Sequence, residues 1–314
     1  TMQAHEVFIG VDVAKDTLVC CVCGVPKPQV VANEERSIKG WLETLVPQAV
    51  IGMESTGRYH QSLARLAHGA GLRVYVLNAK DVYFYAKALG ARGKTDPGDA
   101  QVIARYIAEH HAALHAWEPG TAAQQRVQEL LQRRACVAVH RASLRQVLAG
   151  MGELAPSVQQ LEQQFEQLLQ HIDCEVQALI ASEAQLSQSS ALLQTISGIG
   201  PQSAAMLAAL LGRIEFANAD ALVAYSGLDP RPCDSGMRSG RRRLSKRGSP
   251  SLRRQLYLAA LAATRSKALG PTYRAIRARG FKSTPAVVIL ARKLLRIAWA
   301  VWKSGQPFDA ARLQ

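Results

Sequence analysis

The placement of short apolar runs is the feature that most limits how this 314-residue chain can fold. Such runs, bounded by turn residues, are typical of buried strands, and the stretches between them have helical periodicity. They occur at residues 6–13, 17–22, 49–54 and 73–78. The turn-like residues 14–16 after the first run predict a hairpin. Strands followed by alternating strands and helices predict an α/β domain with a mixed sheet.

The remainder of the chain has almost no run of the strand type, so we expect it to be helical. Apolar residues within it repeat at spacings of 3, 4, 3 and 4, as in the seam of a coiled coil. They are Val158, Leu161, Phe165, Leu168 and Ile172. The pattern predicts an antiparallel helical hairpin or a coiled coil used for self-association, with an ordinary core helix pair as the alternative. We therefore divide the chain into residues 1–118, a helical segment 119–192 and a third region 193–314.

Charge is distributed unevenly along the chain. The sequence has 38 Lys and Arg against 24 Asp and Glu, a formal net charge of +14. Residues 231–314 contain 20 basic residues and two acidic ones, whereas the first 230 residues are net −4. A concentrated cationic face supplies the salt-sensitive, sequence-independent part of nucleic-acid binding. An anionic membrane is the competing partner, which we disfavour because the chain has no lipidation signal.

The sequence carries no sign of export. It has no run of 18 apolar residues, and no basic stretch followed by an apolar one stands at the amino terminus, so neither a membrane span nor a secretory signal is predicted. The six cysteines show no paired CxxC spacing, which predicts reduced thiols in a cytoplasmic protein. Zinc binding by Cys20 and Cys23 is disfavoured because no second pair of ligands follows.

Four acidic residues are the strongest candidates for chemistry. Asp12 and Glu54 each lie at the end of an apolar run, where a carboxylate needs a cation or a hydrogen-bonding partner. Asp96 before Pro97 predicts a helix N-cap, which places Asp99 one turn into the same helix. Together these acids can bind a pair of magnesium ions for phosphodiester chemistry. The alternative is that each is only a turn, cap or first-turn residue.

A glycine-rich segment at residues 195–204 lies between two apolar helical stretches. Its sequence, TISGIGPQSA, resembles the hairpin of helix-hairpin-helix DNA binders. In that hairpin, glycines such as Gly198 and Gly200 let backbone N–H groups approach a phosphate at a helix start. A purely structural helix turn is the alternative.

A second loop, at residues 229–251, is rich in Gly, Ser and Arg. Ser235 within it is a candidate nucleophile, because cations stabilise its alkoxide and the charge that builds on an attacked phosphate. The alternative is that Asp-Ser-Gly is an ordinary turn. We predict that the basic residues of this region bind phosphate: Arg238, Arg241, Arg242, Arg243, Lys246, Arg247, Arg253 and Arg254.

The motifs, taken in order, resemble the DEDD insertion-sequence transposases of the IS-one-ten family, also called bridge-RNA-guided recombinases. Each motif is weak alone, but the ordered set extends over nearly the whole chain. The motifs are GVDVAKDTL at 10–18, ESTG at 54–57, KTDPGDA at 94–100, SGIGPQSA at 197–204, GLDPRPCDSG at 227–236 and GQPFDA at 305–310.

The resemblance implies a RuvC-like amino-terminal domain with the ribonuclease H fold, a coiled-coil segment and a mainly α carboxy-terminal transposase domain. It implies that Asp12, Glu54, Asp96 and Asp99 bind Mg²⁺ and that Ser235 joins covalently to DNA. It also implies a dimer, or a tetramer on DNA, in which the serine of one subunit completes the acidic site of another.

A structured non-coding guide RNA would pair with donor and target double-stranded DNA, and the protein would act in the bacterial cytoplasm at the nucleoid. Two other functions stay open. One is a metal-dependent, junction-resolvase-like nuclease in which water attacks and no covalent intermediate forms. The other is a non-catalytic nucleic-acid scaffold.

Overall fold

The computed structural model describes residues 6–55, 57–90, 93, 95–232, 240 and 242–313. The chain divides into two compact units, the first ending at Pro119 and the second beginning at Gly120. The helical segment expected at 119–192 and the region expected from 193 onward both fall within the second unit. The division of this second unit into two domains at residue 193 stays a proposal.

The first unit is built on a five-stranded mixed sheet. Its strands stand in the order β3-β2-β1-β4-β5. Strand β2 pairs antiparallel with both β1 and β3, whereas β4 pairs parallel with both β1 and β5. The strands are β1 (Val7–Val13), β2 (Thr17–Val22), β3 (Gln29–Ala32), β4 (Ala49–Glu54) and β5 (Arg73–Leu77). The predicted α/β domain with a mixed sheet is confirmed, and this arrangement is consistent with a ribonuclease H-like fold.

Helices cover both faces of the sheet. Because each central strand is buried on both sides, its sequence is a continuous apolar run and not an alternating one. One face packs on α1 and α2 through residues such as Ile38 and Leu63, and the other packs on α4 through Ile103 and Ile107. The helices are α1 (Glu35–Leu42), α2 (His60–Gly69), α3 (Ala79–Ala88) and α4 (Asp96–His110).

The second unit is helical apart from one small two-stranded sheet, in the part of it that the structure describes. Helix α8 lies at its centre, with almost every residue from Ser203 to Leu211 buried. The elements are α5 (Ala122–Val147), α6 (Ala155–Ala181), α7 (Ala184–Gln194), α8 (Pro201–Leu211), α9 (Ala219–Ser226), β6 (Pro230–Arg231), β7 (Arg243–Leu244), α10 (Pro250–Ala263), α11 (Gly270–Ala278) and α12 (Ser283–Ser304). Over the described residues, no helix has the length and apolar character needed to cross a bilayer.

Helices α5 and α6 form an antiparallel pair. Arg134 makes a two-pronged ion pair with Asp173, with Nε and Nη2 at 2.6 and 2.8 Å from the carboxylate oxygens. Nearer the hairpin tip, Arg141 pairs with Glu162. The expected seam is only partly buried, since Leu168 is 46% exposed. A coiled coil therefore stays a proposal.

Candidate functional site

The strand register brings two of the predicted carboxylates to adjacent positions. Strands β1 and β4 are parallel, and Val11 pairs with Met53 at the end of their ladder. The same register, continued by one residue, sets Asp12 beside Glu54 at the carboxyl ends of the two strands. Both side chains are half-buried. Thirty-five residues of intervening chain separate the two strands, so this neighbourhood is a product of the fold.

Two glycines let α4 lie directly on the sheet beside these carboxylates. A Cβ at Gly10 would stand 2.1 Å from the carbonyl oxygen of Ala100, so only glycine permits this contact. A Cβ at Gly52 would lie 2.7 Å from the side chain of Ile107. Alternate residues of a strand share one face of a sheet. The two carboxylates, each two residues beyond one of these glycines, therefore lie on the face that α4 covers.

Helix α4 runs against the direction of β1. Ala100, near the start of the helix, lies over Gly10, whereas the ring of His111, directly after its end, lies 4.8 Å from the ring of Phe8. The helix therefore begins above the carboxyl-terminal part of the strand, which is the part that carries Asp12.

A thiol holds the first turn of α4 against β2. The Sγ of Cys21 donates a hydrogen bond to the carbonyl oxygen of Pro97 over 3.6 Å. Burial raises the pKa of Cys21, and burial together with the neighbouring Cys21 raises the pKa of Cys20 to about 12. Both thiols therefore stay protonated, and Cys21 can act as a donor.

The start of α4 corrects one expectation from the sequence. Thr95, and not Asp96, is the N-cap residue, because its hydroxyl accepts a hydrogen bond from the backbone N–H of Gly98 at 3.3 Å. Asp96 is the first helical residue and is exposed, while Asp99 is half-buried in the same turn. Both carboxylates still stand at the helix end whose dipole favours negative charge.

The four carboxylates have the donor chemistry that a hard divalent cation prefers, since Mg²⁺ takes oxygen ligands almost exclusively. The fold places Asp12, Glu54 and Asp99 at one edge of the first unit, with Asp96 on the same helical turn as Asp99. Within the described ranges, however, no three acidic, His or Cys side chains are close enough to hold a metal ion. Metal binding by these residues is therefore left to the proposal below.

The predicted nucleophile, Ser235, lies outside the described residues. Two of the predicted phosphate-binding residues, Arg238 and Arg241, also lie outside them. The structure describes the base of the loop that contains them. Strands β6 and β7 pair at this base, with Arg231 opposite Arg243, and so bracket residues 232–242.

The base of this loop is fixed by several hydrogen bonds. The buried Ser245 donates its hydroxyl to the carboxylate of Asp229, and its backbone N–H donates to the carbonyl oxygen of the same residue at 3.0 Å. The backbone N–H of Lys246 donates to the carbonyl of Gly227 at 3.0 Å. The two ends of the loop are therefore held next to each other by hydrogen bonds between residues 227–231 and 243–246.

The basic residues of this region occupy two kinds of position. Of the residues predicted to bind phosphate, Arg247 is half-buried, and four are exposed: Arg242, Arg243, Lys246 and Arg254. Arg253 differs, because its Nη1 donates to the carbonyl oxygens of Ser226 and Gly248. Burial lowers the pKa of the Arg253 guanidinium. This side chain holds the loop base in place, and phosphate binding by the whole set stays a prediction.

The two glycines of the SGIG segment have different surroundings. Gly198 has φ +97°, and a Cβ there would stand 2.5 Å from the Cβ of Ala263, so this glycine lets the turn lie against α10. Gly200 is the N-cap residue of α8, and no described atom lies within 4 Å of where its Cβ would stand. Close packing thus accounts for Gly198, and nucleic-acid binding at either glycine stays a prediction.

Comparison with known proteins gives the same assignment in both halves of the chain. Residues 9–151 match a family model of DEDD transposases of the IS110 type, and residues 190–275 match the model described as the IS116/IS110/IS902 transposase family. The pilin gene-inverting protein of Moraxella bovis is 28% identical over 97% of this chain and 98% of its own length. A 42 kDa protein of insertion element IS900 from Mycobacterium paratuberculosis is 37% identical over 31% of this chain and 24% of its own length.

The carboxylate-bearing sheet edge and these matches define the class of protein. The chain is a DNA recombinase or transposase, an enzyme whose substrate is DNA. It belongs to the IS110 family of DEDD transposases. The DEDD-type match also indicates a divalent metal cofactor.

Proposed function

We propose that this transposase cuts and rejoins donor and target DNA through a covalent link to Ser235, with Mg²⁺ held by Asp12, Glu54, Asp96 and Asp99. The observation that carries the proposal is the register of β1 and β4, which, continued by one residue beyond Val11 and Met53, sets Asp12 beside Glu54. Carboxylates from two parallel strand ends and a helix start are suited to a metal-assisted phosphoryl transfer site. Bound there, Mg²⁺ would supply a Lewis acid for the oxygens of the scissile phosphate.

The chain's own residues would carry the covalent step. The Oγ of Ser235 loses its proton and forms a bond to the scissile phosphorus, while the bond from that phosphorus to a DNA sugar oxygen breaks. The released oxygen takes up a proton. A hydroxyl of another DNA strand then attacks the phosphoserine, restores the serine hydroxyl and forms a new phosphodiester. The number of phosphate ester bonds is unchanged, so joining needs no added energy source.

The basic residues around the loop would hold the DNA during this exchange. Exposed guanidinium and ammonium groups such as Arg242, Arg243 and Lys246 provide charge without base-specific geometry, which suits backbone contacts. Sequence choice would then come from a structured guide RNA that pairs with both donor and target DNA. Oligomers, a dimer and then a tetramer on DNA, would bring the serine of one subunit to the acids of another.

The test is a denaturing gel of the full-length protein with labelled donor and target DNA, Mg²⁺ and RNA transcribed from the flanks of its element. We expect a slow covalent band that Ser235→Ala and Asp99→Asn both abolish. Ser182→Ala and Asp16→Asn, at exposed positions outside the proposed site, serve as matched controls and should retain the band. Omission of the RNA should abolish the reaction.

Cut DNA without a covalent band, unaffected by Ser235→Ala, would refute the serine mechanism and indicate a metal-dependent nuclease. Covalent product that forms equally well without RNA would refute guidance. Product that survives both Asp12→Asn and Asp99→Asn would refute the role of the acidic site.

A further inference from the structure

Helix α3 presents one face whose composition is unusual for a solvent-facing surface. Lys80, Tyr83, Phe84 and Lys87 are all exposed and follow the spacing i, i+3, i+4 and i+7, so they line one side of the helix. The opposite side is anchored by Val82, which is 5% exposed. We call the four exposed residues the α3 face.

The two rings of this face are the most exposed aromatic groups in the described part of the chain. Tyr83 is 53% exposed and Phe84 is 58% exposed; among the other described Phe, Tyr and Trp residues only Tyr225 and Phe281 are exposed, at 41% and 37%. The rings of Tyr83 and Phe84 lie 5.4 Å apart and are tilted by 70°. The Nζ of Lys87 lies 4.8 Å from the centre of the Tyr83 ring. The face therefore combines open π surface with positive charge.

The fold places this face at the edge of the sheet that carries the acids. Helix α3 begins directly after β5, which pairs with β4 so that Leu77 lies opposite Glu54. Asn78 caps the helix by accepting from the backbone N–H of Lys80 at 3.0 Å. The α3 face therefore stands on the helix that leaves the sheet beside the proposed catalytic carboxylates.

A side-chain hydrogen bond links α3 to α4, the helix that carries the other two acids. The hydroxyl of Tyr85 donates to Oε2 of Glu109 at 2.6 Å. Burial and this hydrogen bond raise the pKa of Tyr85 to about 12, so the phenol stays protonated and remains a donor. Since α3 is held in this way, the aromatic pair has a set position relative to the acids within the first unit.

We propose that the α3 face binds unpaired DNA next to the cut site, with a base stacked on Tyr83 or Phe84 and phosphates paired with Lys80 and Lys87. This inference rests on the proposed function, because it assumes that the nearby acids act on a DNA strand. Every base has a π face, so exposed aromatic rings with flanking lysines bind single strands without sequence preference. A fully paired duplex hides its base faces and would gain only the lysine contacts. A DNA strand that separates from its complement, in order to pair with a guide RNA or a second DNA, exposes the faces of its bases.

The test measures binding and not cleavage, and so it uses the full-length Ser235→Ala protein. The probe is a DNA duplex with one short unpaired stretch that contains 2-aminopurine, compared with the same sequence fully paired. We expect the unpaired probe to bind more tightly than the duplex and its fluorescence to be quenched on binding. Tyr83→Ala combined with Phe84→Ala should weaken binding of the unpaired probe about ten-fold or more, and the duplex hardly at all.

Matched variants separate stacking from other effects. Tyr83→Trp with Phe84→Trp keeps two aromatic faces and should restore quenching, while Phe281→Ala removes an exposed ring of the second unit and should change nothing. Lys80→Gln with Lys87→Gln should reduce the slope of log affinity against log salt by about 1.4, from ~0.7 per single-strand contact. Circular dichroism and the melting temperature establish that each variant is folded.

Equal binding of the unpaired probe by the Ser235→Ala protein with and without the double alanine change would overturn the inference. So would a double alanine variant that changes the oligomer mass in light scattering without changing DNA binding, since the face would then be a contact between copies. Preferential quenching by an RNA strand of the same sequence would also overturn the assignment to DNA. Failure of the proposed function is distinguishable, because it removes the covalent product while stacking of the unpaired probe persists.

Discussion

Gly10→Ala tests whether the close contact of α4 with β1 positions the acidic site. The new Cβ would stand 2.1 Å from the carbonyl oxygen of Ala100 and 2.3 Å from the backbone nitrogen of Ala104. Both atoms belong to the helix backbone, so no side-chain rotation relieves the overlap. Ordinary van der Waals contact begins at 3.4 Å. The helix would therefore have to retreat by about 1.3 Å, and overpacking of this kind costs ~1–3 kcal/mol or more.

The functional effect should exceed the loss of stability. Asp99 is the neighbour of Ala100, so a retreat of the helix displaces this carboxylate from Asp12. A misplacement of about 1 Å at a reacting centre can lower the rate about 100-fold. We expect Gly10→Ala to lower the free energy of unfolding, measured by urea titration, by ~1–3 kcal/mol or more. It should also reduce formation of covalent product by about two orders of magnitude at a temperature where the protein remains folded.

Two other glycines serve as controls. Gly52→Ala meets only the ends of the Ile107 side chain, at 2.7 and 2.9 Å, which can rotate away, so its effects should be smaller. Gly40 is exposed in α1 with no described atom within 4 Å of its Cβ position, and alanine there should stabilise the protein by ~0.4–1 kcal/mol. A Gly10→Ala protein with wild-type stability and wild-type activity would refute the reasoning.

Three further predictions follow from the described residues. Lys246 has φ +53°, so Lys246→Gly should be more stable than Lys246→Ala by ~1 kcal/mol in thermal unfolding, although both lose the same charge; equal stabilities would contradict this. Among the described cysteines, the exposed Cys136 and Cys174 should react with a thiol reagent at pH 8 in the native protein, whereas Cys20, with its pKa raised to about 12 by burial, should react only after unfolding; mass spectrometry of the labelled peptides decides. If six basic side chains contact phosphate, log affinity for duplex DNA should fall against log salt with a slope of about −5, and a slope near zero would contradict a mainly electrostatic interface.

The strands were predictable where burial on both faces leaves a continuous apolar run. Strands β1, β2, β4 and β5 begin and end within one residue of the predicted runs. Strand β3 was not predicted because it has four residues, of which only Val31 is buried. So short an edge strand carries neither an apolar run nor a clear alternation.

The candidate site was predictable as a set of residues and not as a geometry. The positions of Asp12 and Glu54 at strand ends are local properties, whereas their adjacency depends on which strands pair. The sequence predicts Asp96 as the N-cap because Pro97 follows it, whereas the structure places the cap at Thr95, whose hydroxyl accepts the bond from Gly98. In α6, the seam prediction included Leu168, whereas the structure buries the neighbouring Leu169 and leaves Leu168 46% exposed.

The α3 face was not predicted, although its spacing is visible in the sequence. Exposed rings at i+3 and i+4 between lysines resemble the buried stripe of any amphipathic helix. Only the burial of Val82 on the opposite side shows which stripe faces solvent. A sequence pattern gives the faces of a helix, and the packing of its neighbours decides which one is left open.

The paired base of the loop that contains Ser235 has a consequence for how such enzymes can diversify. Residues 232–242 start and finish at Arg231 and Arg243, which already lie opposite each other in a ladder. A longer loop between the same anchors adds only ~0.6 kcal/mol of closure entropy for each doubling of its length. The segment that would carry the nucleophile can therefore change in length and composition while the helical unit beneath it folds as before. Substitutions, insertions or deletions within residues 232–242 can then alter the reactivity of the enzyme without altering how the helical unit folds.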